Sequence, residues 1–74
     1  MQDDELRSRI RNVLVSLRTE HELSQTEVGK IVGKSKTAVA SWEQGLSLPD
    51  LVTLKRLAIY YNKTMDYMFG DGKE

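Results

Sequence analysis

The chain contains no cysteine and a single histidine among its 74 residues. No disulfide can staple it and no zinc cluster of the usual Cys/His kind can be assembled, so the fold must stand on packing alone. A chain of this length makes one domain and buries only about 60 to 65% of the surface its unfolded form exposes, which keeps its stability modest. No apolar run approaches the roughly 18 residues that span a bilayer. The opening MQDDELRSRIR is too charged for a signal peptide. A cytoplasmic location, with no membrane partner, is the expectation. Also missing are a nucleophile and base pair, a carboxylate dyad, a phosphate-binding loop and any cofactor motif. The chain is therefore not expected to be an enzyme, and neither a cofactor nor a small-molecule ligand is implied.

Net charge is absent too, because eleven basic and eleven acidic residues cancel. That balance argues against a simple electrostatic glue for nucleic acid. It is uneven along the chain, however. Asp3, Asp4 and Glu5 set residues 1–5 at minus three, and Asp66, Asp71 and Glu74 against Lys73 set residues 64–74 at minus two, which leaves plus five on residues 6–63. The neutral total hides a mildly basic middle.

What is present is helical periodicity. Leu6, Ile10, Val13, Leu14 and Leu17 recur at three-and-four spacing, one stripe of a helix over residues 4–20. Its acidic start suits a positive helix N-terminus. Ser24 with Glu27 is a capping box that opens a second helix over 25–32, with Val28, Ile31 and Val32 directed inward and Gly33 as its left-handed stop. Ser35 caps a third helix over 36–44, which Gly45 terminates. Pro49 and Asp50 open a fourth over 50–61, with the stripe Leu51, Leu54, Leu57, Ala58 and Tyr61. Thr64 caps a last short helix over 65–69. No segment alternates with period two, and there is neither an internal repeat nor a low-complexity tract. The reading is an all-α domain of five helices over residues 1–70, with a polar tail at 71–74.

The third helix is unusual in what it shows to solvent. Lys36, Thr37, Ala40 and Ser41 share one face while Val39 and Trp42 point back into the domain. Two short helices joined by a tight glycine-containing turn, the second with a slim polar face, make the arrangement that enters a major groove about 12 Å wide. Gly29 fits a second helix crossed closely by its neighbour. The remaining side chains take plainer roles. Trp42 is core, Arg7, Arg9 and Arg11 form a solvated helix face, His21 sits in a connection with neither metal nor catalytic partners, and of Tyr60 and Tyr61 one is buried and the other exposed.

From LSQTEVGKIVGKSKTAVASWEQG through LPDLVTLKRLA, and more loosely to KTMDYMFG, the sequence resembles the phage-repressor and Cro-like helix-turn-helix family, the XRE family. Leu23, Ser24, Gln25, Glu27, Val28, Gly33, Ser35, Val39, Glu43, Gly45, Pro49, Leu51, Leu54, Leu57 and Ala58 fall at the family's spacing without a gap. The resemblance implies a compact domain of the lambda-repressor type that binds double-stranded DNA as a bacterial or phage transcription regulator. A repressor that occupies a two-fold-symmetric operator as a dimer is the expected form. It assigns base reading to Lys36, Thr37, Ala40 and Ser41. Phosphate contacts fall to Ser24, Gln25, Lys34, Ser35, Gln44 and Ser47, although Lys34 stands where the family carries an apolar residue. Arg18 and Glu43 match a structural ion pair, and Met65, Tyr67 and Met68 match a dimer contact. The alternative is a protein-interaction module, or an antitoxin-type partner, that keeps the fold without reading DNA.

Overall fold

Residues 3–71 are described by the computed structural model, so residues 72–74 of the polar tail lie outside the described residues. The chain runs through α1 (Asp3–Glu20), α2 (Gln25–Val32), α3 (Lys36–Gln44), α4 (Leu51–Tyr61) and a wide-pitched last turn, α5 (Tyr67–Asp71). No strand occurs among the described residues, and none of their helices is long and apolar enough to cross a membrane.

The starts of α2, α3 and α4 are each marked by an oxygen-bearing side chain that satisfies an otherwise unpaired amide. The Glu27 amide donates to Ser24 Oγ at 3.1 Å while the Ser24 amide donates to Glu27 Oε1 at 2.8 Å, a complete capping box on α2. Ser35 Oγ accepts from the Ala38 amide at 3.1 Å on α3, and Asp50 Oδ1 accepts from the Thr53 amide at 2.8 Å on α4. Asp50 is therefore the cap of α4 and not its first helical residue; its extended backbone (φ −68°, ψ 169°) places it and Pro49 just outside.

The turn between α2 and α3 is made by two glycines for two different reasons. Gly33 takes the left-handed conformation at φ 72°, which L side chains rarely adopt. Gly29 needs space instead, since a Cβ there would stand 2.5 Å from the Lys34 carbonyl oxygen. The group that crowds Gly29 is thus the backbone of the turn folding back, not a crossing helix. The same fold-back lets the Lys34 amide donate to the Gly29 carbonyl at 2.8 Å.

The core gathers Ile10, Leu14 and Leu17 of α1, Val28 and Val32 of α2, Val39 and Trp42 of α3, Leu54, Leu57, Ala58 and Tyr61 of α4, and Met68 of α5. Leu17 and Leu57, each fully enclosed, contribute about 1.5 to 3 kcal/mol apiece by burial. α1 packs against α3 and α5, α2 against α3 and α4.

Two inward assignments change. Leu51 is 70% exposed while Thr53 and Leu54 of the same turn are buried, so Leu51 lies on the outer side of α4. Ile31 sits at the edge of the narrow Val28 and Val32 stripe and is exposed, while Thr53 is buried on α4. The last helix also shifts. The Tyr67 amide donates to Thr64 Oγ1 at 3.0 Å, and the turn then widens over Tyr67–Asp71 until Gly70, at φ 87°, brings the backbone against Arg9 so closely that a Cβ would collide.

Tyr61 is buried and Tyr60 exposed, with their rings edge to face at 5.3 Å. His21 lies against Tyr61 at 4.7 Å between ring centres, its Nδ1 2.9 Å from the Leu17 carbonyl.

The caps make stability sensitive to acid. The amide of Ser24 bound to Glu27, and the amide of Thr53 bound to Asp50, hold both carboxyls below their ordinary values of 4.5 and 3.8. A lowered folded value means that the contribution is complete above those values and is lost as pH falls below them through the folded ones. Thermal unfolding followed by circular dichroism should show a melting temperature that declines below pH 4.5. Asp50→Asn, which keeps a capping oxygen without a titrating proton, should make that decline shallower.

Candidate nucleic-acid interface

The helix-turn-helix unit is α2, the Gly33–Lys34–Ser35 turn and α3. Along α3, Lys36 and Thr37 are exposed, Ala40 and Ser41 are partly exposed one turn later, and Val39 and Trp42 are buried on the opposite side. The four sequence-assigned reading residues therefore share one outer face whose longest member is Lys36. Nothing bulky stands between that backbone and whatever approaches it.

Electrostatics favour an anion at this end. α3 has no acidic residue in its first turn, so the partial positive charge of its N-terminal amides is not offset locally, and Lys34 and Lys36 flank it. The hydroxyl oxygens of Ser24 and Ser35 accept from helix amides, and both residues are exposed, which leaves each O–H free to donate. Gln44 and Ser47 are exposed beyond the far end of α3.

Besides the two capping serines, two of the assigned phosphate residues have side-chain partners on a distant part of the chain. Lys34 Nζ lies 3.5 Å from Asp50 Oδ2, both side chains being well exposed, so the pair is a weak tether that a stronger anion can replace. Gln25 Nε2 donates to Glu43 Oε1 at 3.0 Å. Neither partner had a sequence signal, since each lies more than fifteen positions away and is joined only by folding.

Arg18 and Glu43 form a forked pair. Arg18 Nε is 2.6 Å from Glu43 Oε2 and Nη2 is 3.0 Å from Oε1, while Nη1 donates to the Leu23 carbonyl at 2.8 Å. The carboxylate's hydrogen bonds hold the guanidinium above its ordinary value, against the opposing effect of burial. The Leu23 carbonyl could not be found from sequence, because a backbone acceptor carries no residue signature.

The assigned dimer residues are not a single surface. Met68 is 0% exposed and belongs to the core beneath α1, so it is withdrawn as a contact. Met65 and Tyr67 are half-buried, and the Tyr67 ring lies 4.5 Å beneath Lys63 Nζ. The most exposed large apolar side chains stand elsewhere, at Leu46, Leu51, Val52 and Ile59.

The Arg18 fork yields a direct expectation. The Glu43 side chain is only 9% exposed, so Arg18→Met should leave a carboxylate without its counter-ion and destabilise the fold by about 3 kcal/mol, the low end of the range for a broken buried pair. Urea unfolding monitored by Trp42 fluorescence reads this; a change below about 1 kcal/mol would place the pair with ordinary surface bridges.

Comparison with known proteins places the chain. Residues 14–68 match the family model described as Helix-turn-helix, HTH_3. Over 51 residues the chain is 39% identical to the ImmF control region 10 kDa protein of Bacillus phage phi105, a span of 69% of this chain and 57% of that protein. The fold is similar to that of an HTH_3 family transcriptional regulator from Vibrio cholerae, with a TM-score of 0.79 and 28% identity over 95% of this chain and 39% of the other. The chain thus spans less than two thirds of either relative's length. With most of its length inside the family model, and with the capped α2, tight turn and slim-faced α3 in place, the chain belongs to the helix-turn-helix family of XRE type.

Proposed function

We propose that this chain binds double-stranded DNA sequence-specifically as a transcription regulator, and that it acts as a repressor by occupying an operator. The observation that carries the reading is the outer face of α3, where Lys36, Thr37, Ala40 and Ser41 are accessible together beside an unneutralised helix N-terminus. In this reading Lys36 donates to guanine O6 or N7, Thr37 serves more than one base, and the Ala40 methyl meets a thymine methyl, with Ser41 as a further reading group. Ser24, Gln25, Lys34, Ser35, Gln44 and Ser47 bracket that face and hold phosphates, fixing register without reading sequence.

So few base contacts give weak binding per copy, which favours two copies on half-sites about 34 Å apart. Met65 and Tyr67 remain as the candidate contacts between copies. Both are only partly buried against the core, which leaves part of each side chain accessible to a second copy.

A protein-interaction module without DNA reading is the second hypothesis, and the zero net charge favours it. Salt separates the two. Neutralised phosphates release counter-ions, so DNA binding must weaken steeply as salt rises, whereas the interaction module shows no duplex affinity to lose.

Selection of bound fragments from random DNA, followed by titration of the recovered duplex, provides the test. Lys36→Ala or Thr37→Ala should relax preference at a base pair by roughly 1 to 3 kcal/mol, and Gln25→Ala should weaken all sequences alike. Unchanged binding by all three variants would remove the site assignment. Sedimentation of the complex checks the dimer: two chains per two-fold-symmetric duplex are expected, and a stable one-to-one complex would contradict it.

A further inference from the structure

Three helices meet at one carboxylate. Glu43 of α3 accepts Arg18 of α1 on both oxygens and Gln25 of α2 on Oε1, and its side chain is 9% exposed. A carboxylate only accepts, so the Gln25 carboxamide has one chemically sensible orientation, with Nε2 toward Glu43; the flipped amide would set its oxygen against another acceptor. That leaves one Nε2–H and the carbonyl oxygen of Gln25 uncommitted, on the first residue of α2 beside the Ser24 cap. Arg18 meanwhile supplies the positive charge that keeps Glu43 from presenting a bare anion near this end of the domain.

We propose that Glu43 is a positioning residue for the DNA backbone: it holds the Gln25 amide so that the remaining N–H meets a phosphodiester oxygen without first being ordered. This rests on the DNA-binding reading above and deepens it. Glu43 itself touches no phosphate. Its effect passes entirely through Gln25, so the contribution of Gln25 to binding depends on Glu43 supplying the acceptor oxygen. Glu43→Leu removes both acceptor oxygens, including the Oε1 on which Gln25 Nε2 rests, so nothing at that position holds the amide.

A double-substitution cycle tests this on the full chain, using fluorescein-labelled duplex of mixed sequence and anisotropy at low salt, at a temperature where each variant keeps the wild-type circular dichroism spectrum. Gln25→Ala should lower affinity roughly five-fold in the wild-type background, the size of one net hydrogen bond. In the Glu43→Leu background the same substitution should change affinity by less than about two-fold, because the amide is no longer held. Equal losses in both backgrounds overturn the proposal while leaving DNA binding intact. A wild-type chain with no salt-dependent duplex affinity overturns the DNA reading and this proposal with it. Should Glu43→Leu fail to fold, the wild-type chain still decides. Its Gln25 side-chain amide protons should appear in NMR spectra as a widely split, exchange-protected pair, and resonances at the positions of a free glutamine side chain overturn the proposal.

Discussion

The nearly enclosed carboxylate of Glu43 is the constraint on which the arrangement of the first three helices depends. Desolvating an ion costs several kcal/mol, and only a well-aligned fork of donors offsets it. Arg18 supplies that fork and reaches the Leu23 carbonyl as well, so one guanidinium joins α1 to the connection before α2 and to the far half of α3. Hydrophobic contacts alone would let short helices of eight and nine residues slide or roll at little cost. Directional bonds at Glu43 add to the burial of Val39 and Trp42, which turns the opposite face of α3 outward.

The turn sets the remaining degree of freedom. Gly33 permits the left-handed step that ends α2, and the absence of a side chain at Gly29 lets the Lys34 and Ser35 backbone lie directly over it. Together they hold the start of α3 next to the middle of α2. The first turn of α3 then carries Lys36 and no acidic residue, in a chain of zero net charge. Whole-chain charge governs long-range steering; contact with a phosphate is governed by the groups within a few ångströms. The two can differ, and here they do.

Apolar side chains divide along similar lines. Met68 closes the core because the last turn is drawn onto α1 at Gly70 and Arg9, whereas Leu46, Leu51, Val52 and Ile59 stay exposed on α4 and the segment before it. A small domain has too few elements to cover every stripe, so position in the bundle and not hydrophobicity decides which residues are buried.

Sequence alone determined the local features, since caps, stops and periodicity act over three or four residues. Ser24 with Glu27, Ser35, Asp50 and Gly33 each mark a helix boundary by chemistry that needs no distant partner. The slim outer face of α3 was legible for the same reason, because 36, 37, 40 and 41 share a side on any helix. Arg18 with Glu43 was legible only through family spacing. Tertiary structure decided the rest: that Leu51 and Ile31 face solvent, that Met68 does not, that Lys34 leans on Asp50, and that Gln25 is held by Glu43. Those outcomes depend on which element ends up overhead or alongside, and a side chain's neighbours across 16 or 18 positions are set by packing of the whole domain.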